Sequence, residues 1–459
     1  MDELRKVKHL YSRAAFGLRF ADMQNAGHTS VKKAVHELIA SSEIDDPIGL
    51  TETKLDYMSL LTGGANQKKM AIMQQVQQEK ELNLSWLKKM SSTEAVLREK
   101  MTLFWHNHFA CRTINAAYAQ QLNNIQRSNA LGNFRDLLLQ VSQSPAMLQF
   151  LNNQQNRKGH PNENFARELM ELFTVGRGNY TEQDVKESAR AFTGWGFDRD
   201  GRFVMRNQLH DDGQKAFLGR TGNFTGEDII GILLEQEQTA RFICNKLYKF
   251  FVNEIPDPVH VNAMAAVFYS NNYELKPLLE YVFTADWFYD EKNTGNLIKS
   301  PVEFIVGLNR QFYINYLVPE LQIQFQRALG QLLFYPPNVA GWPGGKNWID
   351  SSSLMYRLKI PSLVLDGGLI DFAGKADPED EAFLATARSR QERINTKVQA
   401  QADWDKFLAD IPGKWSNAEI AGFMLEPQMN RAVQTTIMRA PNIKTLAIEI
   451  VSTPEYQLC

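Results

Sequence analysis

Apolar residues recur at intervals of three and four over about 30–40, 68–90, 94–109, 116–142, 163–174, 182–193, 227–252, 259–284, 301–334 and 379–410. That period lays an apolar stripe along a helix and turns the opposite face to water. The spacing therefore predicts a mainly α chain, a large multi-helix domain. Capping chemistry marks some starts: Ser91 with Glu94, and Thr181 with Asp184, are placed so that a hydroxyl and a carboxylate satisfy orphan backbone donors. Two stretches break the pattern. Between residues 194 and 219, Gly194-Trp195-Gly196-Phe197 and Arg202-Phe203-Val204-Met205 flank Asp198-Arg199-Asp200-Gly201. This composition suits a small β-hairpin insertion. Tyr335-Pro336-Pro337-Asn338-Val339-Ala340-Gly341-Trp342-Pro343-Gly344-Gly345 cannot continue a helix, because proline lacks the amide donor and glycine favours positive φ.

The pattern divides the chain into a main helical domain over 1–371, an exposed helical appendage over 372–412, and C-terminal helices over 413–459 that pack back on the core. Residues 372–412 are charged and rich in alanine and glutamine, with few large apolar groups. A chain of 459 residues can bury a substantial core. Its formal net charge of -2 provides no global positive field for nucleic acid. The three cysteines, Cys111, Cys244 and Cys459, have neither disulfide-framework nor zinc spacing. No apolar run approaches the roughly 20 residues needed to cross a bilayer. No signal peptide precedes the first helical pattern, which favours a cytoplasmic location, or a periplasmic one if a signal has been removed.

The densest polar group is Asn162-Glu163-Asn164-Phe165-Ala166-Arg167-Glu168-Leu169-Met170-Glu171-Leu172-Phe173. On a helix, Phe165, Ala166, Leu169, Leu172 and Phe173 share one side, and Glu163, Asn164, Arg167, Glu168 and Glu171 the other. Arg167 is then spaced to bridge Glu163 and Glu171, with Asn162 or Asn164 at the start. This is either a solvated face of ordinary ion pairs or an acid–base pair, in which one carboxylate is held ionised while a less solvated neighbour keeps its proton. Trp105-His106-Asn107-His108-Phe109 is the second candidate. If the helix ends near Trp105, His106 and His108 point the same way and suit a metal. If it persists, they fall on different faces and do not chelate one ion. His210-Asp211-Asp212-Gly213-Gln214-Lys215 reads as a catalytic loop or as an Asx-type turn. Trp342 and Trp348 supply either flat surfaces for a sugar ring or apolar packing. Nucleotide-binding glycine loops, HExxH and GxSxG are absent.

Met101-Thr102-Leu103-Phe104-Trp105-His106-Asn107-His108-Phe109, the Pro161 to Phe173 string and Pro336-Pro337-Asn338-Val339-Ala340-Gly341-Trp342-Pro343-Gly344-Gly345 together resemble the bacterial "domain of unknown function 1800" family. Arg13-Ala14-Ala15-Phe16-Gly17, Gly178-Asn179-Tyr180-Thr181-Glu182, Ala191-Phe192-Thr193-Gly194-Trp195 and the 217–224 block support the likeness, which spans residue 9 to about 360. The resemblance implies a soluble bacterial protein, often encoded beside a phosphatase- or sulfatase-like protein, and carries no activity. Two expectations follow. One is a hydrolase-like enzyme acting on a glycan or peptide, with Glu163, Arg167, Glu168, Glu171, His210 and Asp211 as catalytic groups. Asn162, Asn164, Trp195 and Trp342 would hold substrate, and a divalent metal on His106 and His108 would assist. The other is a non-catalytic assembly partner of the phosphatase- or sulfatase-like neighbour.

Overall fold

The computed structural model describes residues 2–26, 29–49, 63–370, 396–427 and 429–459. Helices dominate them, and each small sheet has two strands. One continuous apolar core runs from Val7 near the start to Tyr456 near the end. The two ends of the chain meet: Lys8 Nζ donates to the carbonyls of Gly422 and Leu425, and Leu297 pairs with Cys459. Among the described residues no helix is long and apolar enough to cross a membrane.

The helices that position the site are α1 (Glu3–Ala14), α2 (Ala65–Ser92), α3 (Val96–His108), α4 (Asn164–Glu168), α5 (Glu182–Ala191), α6 (Glu237–Phe251), α7 (Pro301–Phe312) and α8 (Trp404–Asp410). The start of α5 is a capping box, with Thr181 and Asp184 satisfying each other's backbone donors. The Ser91–Glu94 pair does no such work. Ser91 lies inside α2, where its hydroxyl bonds Leu87 O, and α3 begins at Val96 without a side-chain cap.

Helix α3 is buried on all sides, Asn107 excepted, although its middle carries Arg98, Glu99, Lys100 and Thr102. Buried charges persist only when paired or hydrogen-bonded, and each of these is. Glu99 accepts from Trp86 Nε1 and Arg127 Nε, both at 2.7 Å. Arg98 donates to the carbonyls of Ser42 and Arg127, and Lys100 pairs with Glu303.

In place of the one hairpin expected over 194–219, two hairpins lie between Trp195 and Gly222. Strand β1 (Trp195–Phe197) pairs antiparallel with β2 (Phe203–Met205), with Trp195 opposite Met205, around the Asp198–Gly201 turn. Strand β3 (Lys215–Phe217) pairs with β4 (Arg220–Gly222). Leu218 and Gly219 between them both have positive φ, as a two-residue turn matched to strand twist requires.

Of the expected appendage, 372–395 lies outside the described residues. The described end is packed rather than projecting: in α8, Phe407 is 1% exposed and meets Phe20 and Phe312 at ring-centroid distances of 5.8 and 4.7 Å. Ile411 is buried as well, and Trp404 and Leu408 pack against the same core, so a small apolar cluster seats this segment.

Candidate functional site

The helix bearing the glutamates does not run through evenly. α4 ends at Glu168 and continues as a π-helical turn over Leu169–Phe173, a geometry that occurs mostly as single turns and often at functional sites. Its inner face holds Phe165, Ala166, Leu169 and Phe173 as expected, but the π turn buries Met170 in place of Leu172, which is only half-buried. Asn162 and Asn164 shape the entry. Asn162 Oδ1 accepts from Asn164 N, and Asn164 Nδ2 donates to Leu151 O.

The extra residue in the turn changes the charge pairing. Arg167 and Glu171 fall out of the i, i+4 register, so Arg167 does not bridge Glu163 and Glu171. It pairs with Glu163 at 3.2 Å and, in bidentate fashion, with Glu182 of α5 at 2.8 Å. Glu171 is held instead by Arg177 and by the Tyr180 hydroxyl at 2.9 Å. Burial works to raise the Glu171 pKa, but Tyr180 and Arg177 outweigh it and hold the carboxyl below its usual range. Glu168 is different. It is half-buried, burial and then the charge of Glu171 push its pKa up, and among the described residues no ion pair reaches it. A protonatable carboxyl thus stands three residues from an ionised one. Arg177, flanked by Gly176 and Gly178, was the partner missing from the sequence reading. Its position in a loop hid it from helical spacing.

The imidazoles are elsewhere. Because α3 persists to His108, His106 and His108 leave it on different faces and do not form a shared metal site, which corrects that expectation. His106 Nε2 accepts from Phe334 N at 3.0 Å, and its ring meets Trp86 edge-on. Burial pushes its pKa down to about 3, with Arg127 adding to the effect. His108 Nε2 donates to Phe173 O at 3.3 Å, and Lys246 Nζ of α6 lies 3.1 Å from Nδ1, a pattern that fixes the neutral tautomer. Burial lowers Lys246 to about 8. Asn107, between the histidines, accepts from Trp342 N at 2.7 Å and donates to Trp342 O at 3.3 Å. Three consecutive side chains therefore fasten three remote backbone points: Phe334, Trp342 and the end of the π turn. Among the described residues no three His, Cys, Asp or Glu side chains are grouped to hold a metal.

His210 and Asp211 form a brace. His210 is buried with Nδ1 2.8 Å from Thr193 O. Asp211 Oδ1 accepts from Gly213 N at 2.8 Å, an Asx-type turn, and Oδ2 accepts from Arg190 Nε at 2.9 Å. Arg190 holds the Asp211 pKa down to about 2. Arg190 and Glu182 stand eight positions apart on α5, about 12 Å along the axis. Glu163–Arg167 and His210–Asp211 are therefore tied to opposite ends of one helix and do not converge. Trp195 and Trp342 are 3% and 5% exposed. Both pack inside, Trp195 between Phe192 and Phe203 and Trp342 against His106, so neither offers a free face to a substrate.

The family model described as "Protein of unknown function (DUF1800)" matches residues 9–458. The chain belongs to this family. The DUF1800 match includes the histidine, glutamate and tryptophan strings, and it extends beyond residue 360 through 372–412 to the C-terminal helices. No curated protein and no solved structure matches the chain.

Proposed function

We propose that this DUF1800 protein is a recognition protein whose charged face around Glu163, Arg167, Glu168 and Glu171 docks the phosphatase- or sulfatase-like neighbour that the family resemblance implies. The observation carrying this reading is the state of Glu168. Its neighbours are locked in ion pairs, while its own carboxylate is uncommitted on a rigid frame, open to a basic group of the partner. Arg177, whose side chain is 84% exposed, extends the face outward. The test is binding of the purified neighbour to the full chain by calorimetry. Charge reversal by Glu168→Lys is expected to weaken binding at least tenfold. Equal affinity for both forms, or no binding by the parent chain, removes the reading.

A second reading is favoured by the opposed pKa shifts of Glu168 and Glu171. In it the pair performs acid–base hydrolysis of a glycan or peptide, Glu168 giving a proton to the leaving group and Glu171 activating water. Neither imidazole takes part. A panel of chromogenic glycosides and peptides, with and without added divalent metal, is then expected to show turnover that Glu168→Gln abolishes and that falls on the alkaline side as Glu168 ionises. Absence of turnover on every substrate leaves binding as the function.

A further inference from the structure

A second polar centre lies away from the glutamate helix, where α1, α3 and α7 meet the C-terminal segment. It is a cavity of about 60 Å³ lined by Lys8, Ser12, Phe16, Lys100, Lys299 and Glu303, with Glu426 and Tyr456 closing it. The lysines come from positions 8, 100 and 299, and none was singled out by sequence pattern. Two are neutralised. Lys100 pairs with Glu303 and donates to Ala15 O at 3.0 Å. Lys8 donates to two carbonyls and stands 3.8 Å from Glu426. Glu303 is itself fixed, because its other oxygen accepts from Ser300 N at the start of α7.

Lys299 is the exception. Its Nζ donates to Tyr456 O at 2.7 Å and lies 3.8 Å from the centre of the Tyr456 ring, with no carboxylate partner among the described residues. An ammonium has three donors, and one is used. Burial lowers its pKa to about 8, so it is charged at pH 7. Arg13 adds positive charge nearby. Its guanidinium is buried, with Nε and Nη1 unbonded.

We propose that this cavity binds a small oxyanion, free or as the terminal phosphate or carboxylate of a metabolite, with Lys299 as its principal ligand and Lys8, Lys100 and Ser12 around it. The volume fits that class. At roughly 30 Å³ per water in the liquid it holds about two waters, the scale of one small tetrahedral or planar oxyanion and too little for a nucleoside. Glu303, Glu426 and Cys459 act on Lys299 only at longer range and none pairs with it. A buried cation without a close partner is costly, and an anion at bonding distance reduces that cost. The site is independent of the proposed docking face, so loss of either reading leaves the other standing.

The experiment titrates the full chain with inorganic phosphate, sulfate and acetate at pH 7, against sodium chloride at matched ionic strength, following the thermal midpoint and the heat of binding. A saturable rise in midpoint with at least one oxyanion, absent with chloride, is expected. Phosphate and sulfate acting without acetate identifies a tetrahedral group, and the reverse identifies a carboxylate. Lys299→Met should weaken binding at least tenfold, while Lys299→Arg stays within a few-fold. Should Lys299→Met not fold, Ser12→Leu, which fills the cavity from the rim of α1, is expected to remove saturation in the same way. No saturable effect of any of the three anions on the parent chain overturns the proposal, as does equal affinity in the folded variants.

Discussion

The end of α3 and the glutamate turn that follows α4 are both crowded with polar side chains, yet they use them in opposite ways. At the end of α3 every polar side chain is spent inside: His106 on Phe334, Asn107 on Trp342, His108 on Phe173. Around the glutamate turn the ion pairs lie at the surface and one carboxylate, Glu168, is left over. Residue type alone does not separate structural from functional groups. What separates them is whether hydrogen-bonding capacity is exhausted by the chain itself.

The comparison breaks first, if it breaks, at Gly341. This residue has positive φ, and an added Cβ would run into the side-chain and main-chain oxygens of Asn107. Gly341→Ala is expected to cost about 3 kcal/mol or more through strain and collision together, measured by urea unfolding. A loss below about 1 kcal/mol would mean the Trp342 loop is not tightly seated on α3.

The next effect is a pH dependence. The folded His106 titrates near 3, below its unfolded value of 6.5, so the unfolded chain binds the proton first as pH falls. Stability from this group is therefore complete above 6.5 and is lost progressively from 6.5 towards 3, at up to about 1.4 kcal/mol per pH unit. His106→Gln, which keeps an acceptor for Phe334 N, should flatten the slope of unfolding free energy between pH 6.5 and 5. An unchanged slope would assign acid sensitivity elsewhere.

The smallest effect belongs to the surface. Arg167→Ala removes two ion pairs that are partly exposed and screened, and should cost no more than about 1 kcal/mol, less in high salt. A larger, salt-independent loss would show that the glutamate turn depends on its charges as α3 depends on its hydrogen bonds.

Much of the fold was legible in the sequence because helices and hairpins are written in local spacing. The apolar stripe of 165–173, the Thr181–Asp184 cap and the Asp198–Gly201 turn all involve residues within a few positions of one another. The site was less legible, because its partners are remote or its geometry irregular. One inserted π turn moved Glu171 from Arg167 to Arg177, and no helical wheel contains that step. His106 finds its partner 228 residues away, and Lys100 finds Glu303 at a separation of 203. The two tryptophans looked like ligand surfaces only because their burial is decided by such distant contacts.

The anchoring of three separate backbone points by three successive residues also links their breathing motions. If the tip of α3 frays, the amides of Phe334 and Trp342 lose their acceptors at the same moment, and the carbonyl of Phe173 loses its donor. Deuterium should then enter the first two amides with a common opening energy, although eight positions and two prolines separate them along the chain.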